Sequence, residues 1–187
     1  MAKITLQGNE INTSGNLPNI GDTAPDFSLV NADLEDMQLA SYSGKKKLLS
    51  IVPSLDTPVC AESTKKFSTH AKKFPNLAIL VISADLPFAM SRFCKEQSID
   101  NVDTLSTMRG QQFAADYGVL IKDGPLAGMT ARAVLVLDEN NQVIHAELVS
   151  EIADDILIAV DERKNFILRS SILFFKKCEK SFKKRYR

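Results

Sequence analysis

KLLSIVPSLDTPVC, residues 47–60, decides the architecture. Its first half, Lys47 to Pro53, is an apolar run of strand length. Pro53 stops it, because proline has no N–H to give to a sheet ladder. Ser54 to Thr57 form a short loop. From Pro58 to Phe74 the spacing predicts a helix, with Val59, Ser63, Phe67 and Ala71 near one face. Leu77 to Ser83 (LAILVIS) follows, almost wholly apolar, as expected of a strand buried on both faces. Strand, helix and strand in this order imply parallel pairing.

Outward from this unit the pattern continues. Pro87 to Gln97 reads as a helix with proline in its first turn. Arg109 to Tyr117 reads as another helix, closed by Gly118. Ala131–Leu137 and Val143–Val149 flank the turn Asp138-Glu139-Asn140-Asn141, a hairpin signal. Toward the N-terminus, Phe27 to Val30 is a short strand and Pro18 to Pro25 a loop. Residues 3–14 read as two short strands around a turn at Gly8-Asn9. The order is β, α, β, α, α and a closing hairpin. It predicts an α/β domain with a mixed central sheet, helices on both faces and an N-terminal β-hairpin. The thioredoxin fold has this arrangement, although the pattern alone does not single it out.

A length of 187 residues suits one well-buried domain. No apolar run reaches the roughly 20 residues of a membrane span, and the N-terminus lacks a secretory pattern, so a cytoplasmic location is expected. Net charge is zero, but residues 1–162 carry 13 basic and 22 acidic residues, whereas residues 163–187 carry 10 basic and one acidic. An acidic body argues against nucleic acid as a partner. Three cysteines, Cys60, Cys94 and Cys178, lie far apart with no CxxC pair, and the only histidines are His70 and His145. Structural zinc needs clustered ligands, so neither a metal site nor a cofactor is expected. Catalytic thiol chemistry becomes the live option.

Cys60 falls in the first turn of the helix that starts near Pro58. Unpaired N–H groups and the helix dipole favour an anion there, and thiolates at such positions form more readily. Thr57 lies three residues upstream, within reach of the sulfur. The same residues also fit a buried structural cysteine and an N-capping threonine.

Pro53, Thr57 and Cys60 form a Pro-x-x-x-Thr-x-x-Cys pattern that resembles the peroxidatic motif of peroxiredoxins. PSLDTPVC, SADLPFAMSRFC (83–94), LSTMR (105–109), YGV (117–119), DGPLAGMTARAV (123–134) and LDENNQVI (137–144) resemble the thiol peroxidase subfamily, in order and spacing. The likeness runs from about Lys3 to Ile152. It implies a thioredoxin-like fold, a homodimer, reduction of hydroperoxides and recycling by thioredoxin. It makes Cys60 the nucleophile, with Thr57 holding the thiolate and the peroxide and Pro53 packing over the sulfur. Arg132 matches the subfamily's active-site arginine; on its own it reads as a surface ion-pair partner. Cys94 matches the resolving cysteine; on its own it reads as a buried helix cysteine. With both cysteines on helices, the sulfurs are expected apart in the reduced state, so that some helix must loosen before Cys60 and Cys94 can join. Phe88, Phe93, Leu126 and Met129 are candidates for an apolar entrance. No role falls to His70 or His145, and none is defined for Arg92 or Arg109.

The resemblance ends near Asp155. Residues 1–155 are read as the peroxiredoxin domain and 156–187 as an atypical basic tail, with Ile156, Leu157, Ile158 and Val160 able to form a final helix. The tail fits the product of a shifted reading frame or an expression artefact, an extension without fixed structure, or a basic amphipathic segment that touches membranes. Cys178 lies in it and is set aside from catalysis. Two further functions compete: a disulfide oxidoreductase, which the lack of CxxC disfavours, and a redox sensor that uses the same Cys60–Cys94 switch.

Overall fold

The computed structural model describes residues 1–72 and 74–154, together with the backbone of residues 158–161 and 166–169. Its contacts divide the chain into two compact units, Met1–Asp154 and Asp155–Arg187.

The first unit opens with a hairpin, β1 (Lys3–Leu6) and β2 (Asn9–Asn12). The turn falls on Gln7 and Gly8, one residue earlier than expected, because both adopt positive φ (51° and 80°). Such a pair matches the right-handed twist of the flanking strands. Next come β3 (Ser28–Val30), β4 (Asp36–Gln38) and a short 3-10 helix, then β5 (Lys46–Ile51) and α1 (Pro58–Ala71). They are followed by β6 (Leu77–Ser83), α2 (Pro87–Gln97), β7 (Asp103–Ser106) and α3 (Gln112–Asp116). The unit closes with β8 (Ala133–Leu137) and β9 (Val143–Leu148). The sheet order is β4-β3-β7-β6-β5-β8-β9, with β5, β6 and β7 parallel and the other pairings antiparallel. This is a mixed, thioredoxin-like sheet.

The crossovers β5-α1-β6 and β6-α2-β7 step across the sheet in one direction. Right-handed connections therefore place α1 and α2 on the same face. The opposite face holds Leu49, Ile51, Leu80, Ile82 and Leu135, packed with Ile4 and Ile11 of the hairpin and with Phe113 and Tyr117 around α3. Strand alternation sends Leu48, Ser50, Ile79, Val81, Val134 and Val136 toward α1 and α2. Burial on both faces explains the unbroken apolar runs.

One charged side chain is built into the sheet. Lys47 has no exposed surface. Its ammonium donates to Asn141 Oδ1 at 2.6 Å and to the carbonyls of Asp138 and Glu139 at 3.3 and 3.4 Å. Burial pushes its pKa below the usual lysine range, against the pull of Asp138 and Glu139. The side chain thus pins the β8–β9 turn.

A second polar lock ties the N-terminal hairpin to the end of the domain. Glu151 Oε2 accepts from Gly8 N (3.0 Å) and Thr5 Oγ1 (2.7 Å), while Oε1 accepts from Gln7 N at 3.0 Å. These bonds, that from Gly8 foremost, lower the Glu151 pKa to about 2. A carboxyl with a depressed folded pKa stabilises the fold above its unfolded value and loses that contribution as pH falls through the folded one. Glu151→Gln should therefore melt at a lower temperature than the parent at pH 7, and the gap should close between roughly pH 5 and pH 2. Thermal melts across that range check it; a gap independent of pH would contradict it.

In the second unit, β10 (Ile158–Asp161) pairs antiparallel with β11 (Phe166–Arg169). The final helix expected at Ile156 to Val160 is thus corrected for Ile158 to Val160, which are strand. The β-branched Ile158 and Val160 favour extended backbone, and pairing with β11 satisfies its polar groups. Ile156, Leu157 and Cys178 lie outside the described residues.

Candidate active site

In parallel α/β sheets, sites gather outside the C-terminal ends of the strands. Here the loops leaving β5 (53–57) and β6 (84–86) lie side by side at that edge. Pro53 is buried and breaks the ladder after Val52. Ser54 to Thr57 turn the chain, and α1 begins at Pro58. Cys60 therefore occupies the first turn, with no exposed surface.

Thr57 Oγ1 lies 2.7 Å from Cys60 Sγ and 2.9 Å from the Ser54 carbonyl oxygen. The threonine hydroxyl is thus committed to the sulfur and to its own turn, as its i, i+3 spacing to Cys60 foreshadowed. Further along α1, Thr64 Oγ1 donates to the Cys60 carbonyl at 2.9 Å and Ser63 Oγ to the Val59 carbonyl at 2.8 Å. Hydroxyls that bond back to the carbonyl four residues earlier slightly weaken and bend a helix.

Arg132 is only 2% exposed. This corrects its reading, on sequence alone, as a surface ion-pair partner. It stands one residue before the Ala133–Ile51 pair and hence alongside Val52. Thr130 Oγ1 clamps this junction by donating to the Val52 carbonyl at 2.7 Å. Alternation puts Arg132 on the face of Val134 and Val136, the face that α1 covers, and at the sheet edge where α1 begins. Its Nε donates to the Ile152 carbonyl at 3.0 Å, while Nη1 is buried without a hydrogen-bond partner among the described residues. A buried guanidinium with a free donor calls for an anion.

Cys94 is on α2, half-buried, and both cysteines are free thiols. Burial raises the Cys94 pKa, so this thiol holds its proton. Cys94 borders a cavity of about 510 Å³ together with Asn31, Asp33, Ser91 and Lys95, which Cys60 does not line. Of the expected apolar entrance, Phe93 is core at 8% exposed, whereas Phe88 is 66% exposed and Leu126 and Met129 are half-buried. Leu86, 55% exposed beside Phe88, was not anticipated.

Two arginines left without a job have structural partners. Arg109 donates to Asp36 Oδ1 at 2.8 Å and to the Leu34 carbonyl at 2.9 Å, tying α3's approach to the sheet edge. Arg92 reaches Asp56 at 3.9 Å and Glu96 at 3.8 Å. His145, half-buried on β9, lies 3.8 Å from Glu147. Sequence reading missed Asp85 altogether. Its carboxylate accepts from Ser54 Oγ (2.8 Å), Leu55 N (2.7 Å) and Ser83 Oγ (2.8 Å). The one available signal was an acidic residue just past the end of a buried strand.

A thioredoxin-like sheet with a cysteine in the first turn after β5, a threonine on its sulfur and a buried arginine at the same edge defines the peroxiredoxin class. The chain belongs to the Redoxin family, whose model matches residues 19–163, and within it to the thiol peroxidases of the peroxiredoxins. It is 44% identical to the thiol peroxidase of Corynebacterium glutamicum over 155 residues, 83% of this chain and 93% of that relative. Among solved structures it is similar to a peroxiredoxin-like protein from Aquifex aeolicus, with a TM-score of 0.79 and 34% identity over 88% of this chain and 94% of that one. It is also similar to the thiol peroxidase from Chromobacterium violaceum, with a TM-score of 0.77 and 26% identity over 98% of both chains. Among the described residues, no helix is long and apolar enough to cross a membrane.

Proposed function

We propose that this protein reduces hydrogen peroxide and organic hydroperoxides with Cys60, closes an internal disulfide between Cys60 and Cys94, and is recycled by thioredoxin in the cytoplasm. The observation that carries the reading is the 2.7 Å contact of Thr57 Oγ1 with a fully buried Cys60 Sγ in the first turn of α1.

The Cys60 thiolate attacks one peroxide oxygen and the O–O bond breaks. The departing oxygen takes the electron pair and a proton and leaves as water or alcohol, while Cys60 becomes a sulfenic acid. Thr57 donates its one hydroxyl proton to the thiolate and accepts from the O–H of the bound peroxide, and Arg132 offers Nη1 to the charge that develops. Pro53 packs over the sulfur and restricts water. Cys94 then attacks the sulfenic sulfur, and the oxygen leaves as water. A dithiol protein returns both cysteines to thiols and is itself oxidised to a disulfide. The raised Cys94 pKa suits this order, since a protonated thiol does not compete for peroxide.

No cofactor or metal is required. The exposed Leu86 and Phe88 offer an apolar patch consistent with a homodimer. We place the chemistry in residues 1–155 and assign the 156–187 tail no part in it.

The test is NADPH-coupled turnover with thioredoxin and its reductase, run with hydrogen peroxide and with an alkyl hydroperoxide. Steady turnover is expected; a single oxidation without cycling would favour a redox sensor instead. Cys94→Ser should still consume about one equivalent of peroxide per site but fail to cycle with thioredoxin, because the sulfenic acid needs only Cys60. Mass spectrometry of the oxidised parent should show Cys60 joined to Cys94. A dominant bridge to Cys178 would refute the pairing.

A further inference from the structure

We infer that Asp85 is a positioning residue that holds Cys60 in its peroxide-ready setting and has to release it before Cys94 can close the disulfide. The inference rests on the roles proposed for the two cysteines.

Because β5 and β6 are parallel neighbours, the loops at their C-terminal ends meet. Asp85, in the loop after β6, reaches across to the loop after β5. Its Oδ1 accepts the Ser54 hydroxyl at 2.8 Å and its Oδ2 the Leu55 N–H at 2.7 Å. The Ser83 hydroxyl steadies Oδ2 at 2.8 Å, and the Asp85 carbonyl accepts from Ser106 Oγ at 2.6 Å, fastening it to β7. Ser54 Oγ in turn accepts from Asp56 N at 3.0 Å. Bonds to a carboxylate are shorter and stronger than neutral ones, so the 54–57 turn is held from a rigid base.

The hold reaches Cys60 through one proton. Thr57 Oγ1 is 2.9 Å from the Ser54 carbonyl and 2.7 Å from the sulfur, but a hydroxyl has a single hydrogen to give. While Cys60 is a thiol, Thr57 can donate to Ser54 and receive the S–H. Once Cys60 is a thiolate, the hydroxyl has to turn toward sulfur. Where Ser54 stands therefore governs how readily Thr57 serves the thiolate, and Asp85 sets where Ser54 stands.

The same bonds join the Cys60 loop to the segment that opens α2, the helix carrying Cys94. The neighbouring Arg92–Asp56 contact is long, at 3.9 Å, and exposed, so it adds little. Loosening the first turn of α1 breaks the Asp85 bonds to Ser54 and Leu55. Asp85 thus favours the first chemical step and opposes the second.

The experiment uses Asp85→Asn and Ser54→Ala in the full chain. Stopped-flow with hydrogen peroxide follows Cys60 oxidation and, separately, disulfide closure; thermal melts confirm that both variants are folded. Both are expected to oxidise about tenfold more slowly, the scale of one lost hydrogen bond to a charged group. Both should close the disulfide several-fold faster and form less sulfinic acid under excess peroxide. Ser54→Ala keeps the carboxylate charge, so agreement between the variants excludes a purely electrostatic effect. If the parent cycles but the variants leave both steps unchanged, or slow both together, the clamp is wrong and the function stands. If the parent forms no sulfenic acid at Cys60, the function falls and the clamp with it.

Discussion

Cys60→Ser is expected to abolish peroxide reduction, lowering single-turnover oxidation by a thousandfold or more, in the range seen when a catalytic nucleophile is removed. The chemistry needs a soft, ionised nucleophile on the peroxide oxygen. A serine hydroxyl at neutral pH is neither ionised nor comparably nucleophilic. The substitution is conservative for the fold, since Cys60 is fully buried and a serine can keep a hydrogen bond with Thr57 2.7 Å away. Loss of activity therefore cannot be assigned to unfolding, and matching thermal melts should show this. Stopped-flow with hydrogen peroxide is the measurement. Retention of more than about one per cent of the parent rate would sink the assignment, because Cys94 holds its proton in the folded state and should not substitute.

Sequence reading succeeded where one force dominated. The apolar runs of β5 and β6 and the Pro87 start of α2 declared themselves, because burial on both faces and a missing N–H leave few alternatives. It failed on β7, Asp103-Thr104-Leu105-Ser106, whose last three residues are buried although only one is apolar. The neighbours supply that burial, and local composition does not show it. The short edge strand β4 escaped for the same reason. On α1 the expected face was turned slightly. Val59 is half-exposed, whereas Cys60 and Thr64 are buried, their polar groups met within the helix. At the site, the Thr57–Cys60 contact was legible because it is local. The Asp85 clamp was not, because it joins residues 30 and 31 positions apart. Arg132, read on its own, was misjudged as a surface residue, and no partner was foreseen for Lys47. Charged residues default to the surface, and only the folded chain shows the carbonyls that receive Lys47 and the Ile152 carbonyl that receives Arg132.

Arg132→Ala should slow the reaction of Cys60 with hydrogen peroxide about a hundredfold or more, the scale reported for removing one preorganised donor from developing charge. The side chain is 2% exposed and Nε is bound to the Ile152 carbonyl, yet Nη1 is buried with no partner among the described residues. Such a group is costly in the fold, and a thiolate or the leaving peroxide oxygen would satisfy it. The position agrees, since Arg132 flanks Val52 at the edge where Pro53 leads to Cys60. Arg132→Lys separates charge from shape. Lysine keeps the charge but not the planar fork that binds Ile152 while presenting a second donor, so it should restore only part of the rate. Stability gives an independent readout. Removing an unpaired buried charge relieves a cost, so the alanine variant should melt no more than a few degrees below the parent despite its lost packing. Peroxide rates equal to the parent's in the alanine variant would show that the guanidinium faces some other anion, and the site would then rest on Thr57 and the first turn of α1 alone.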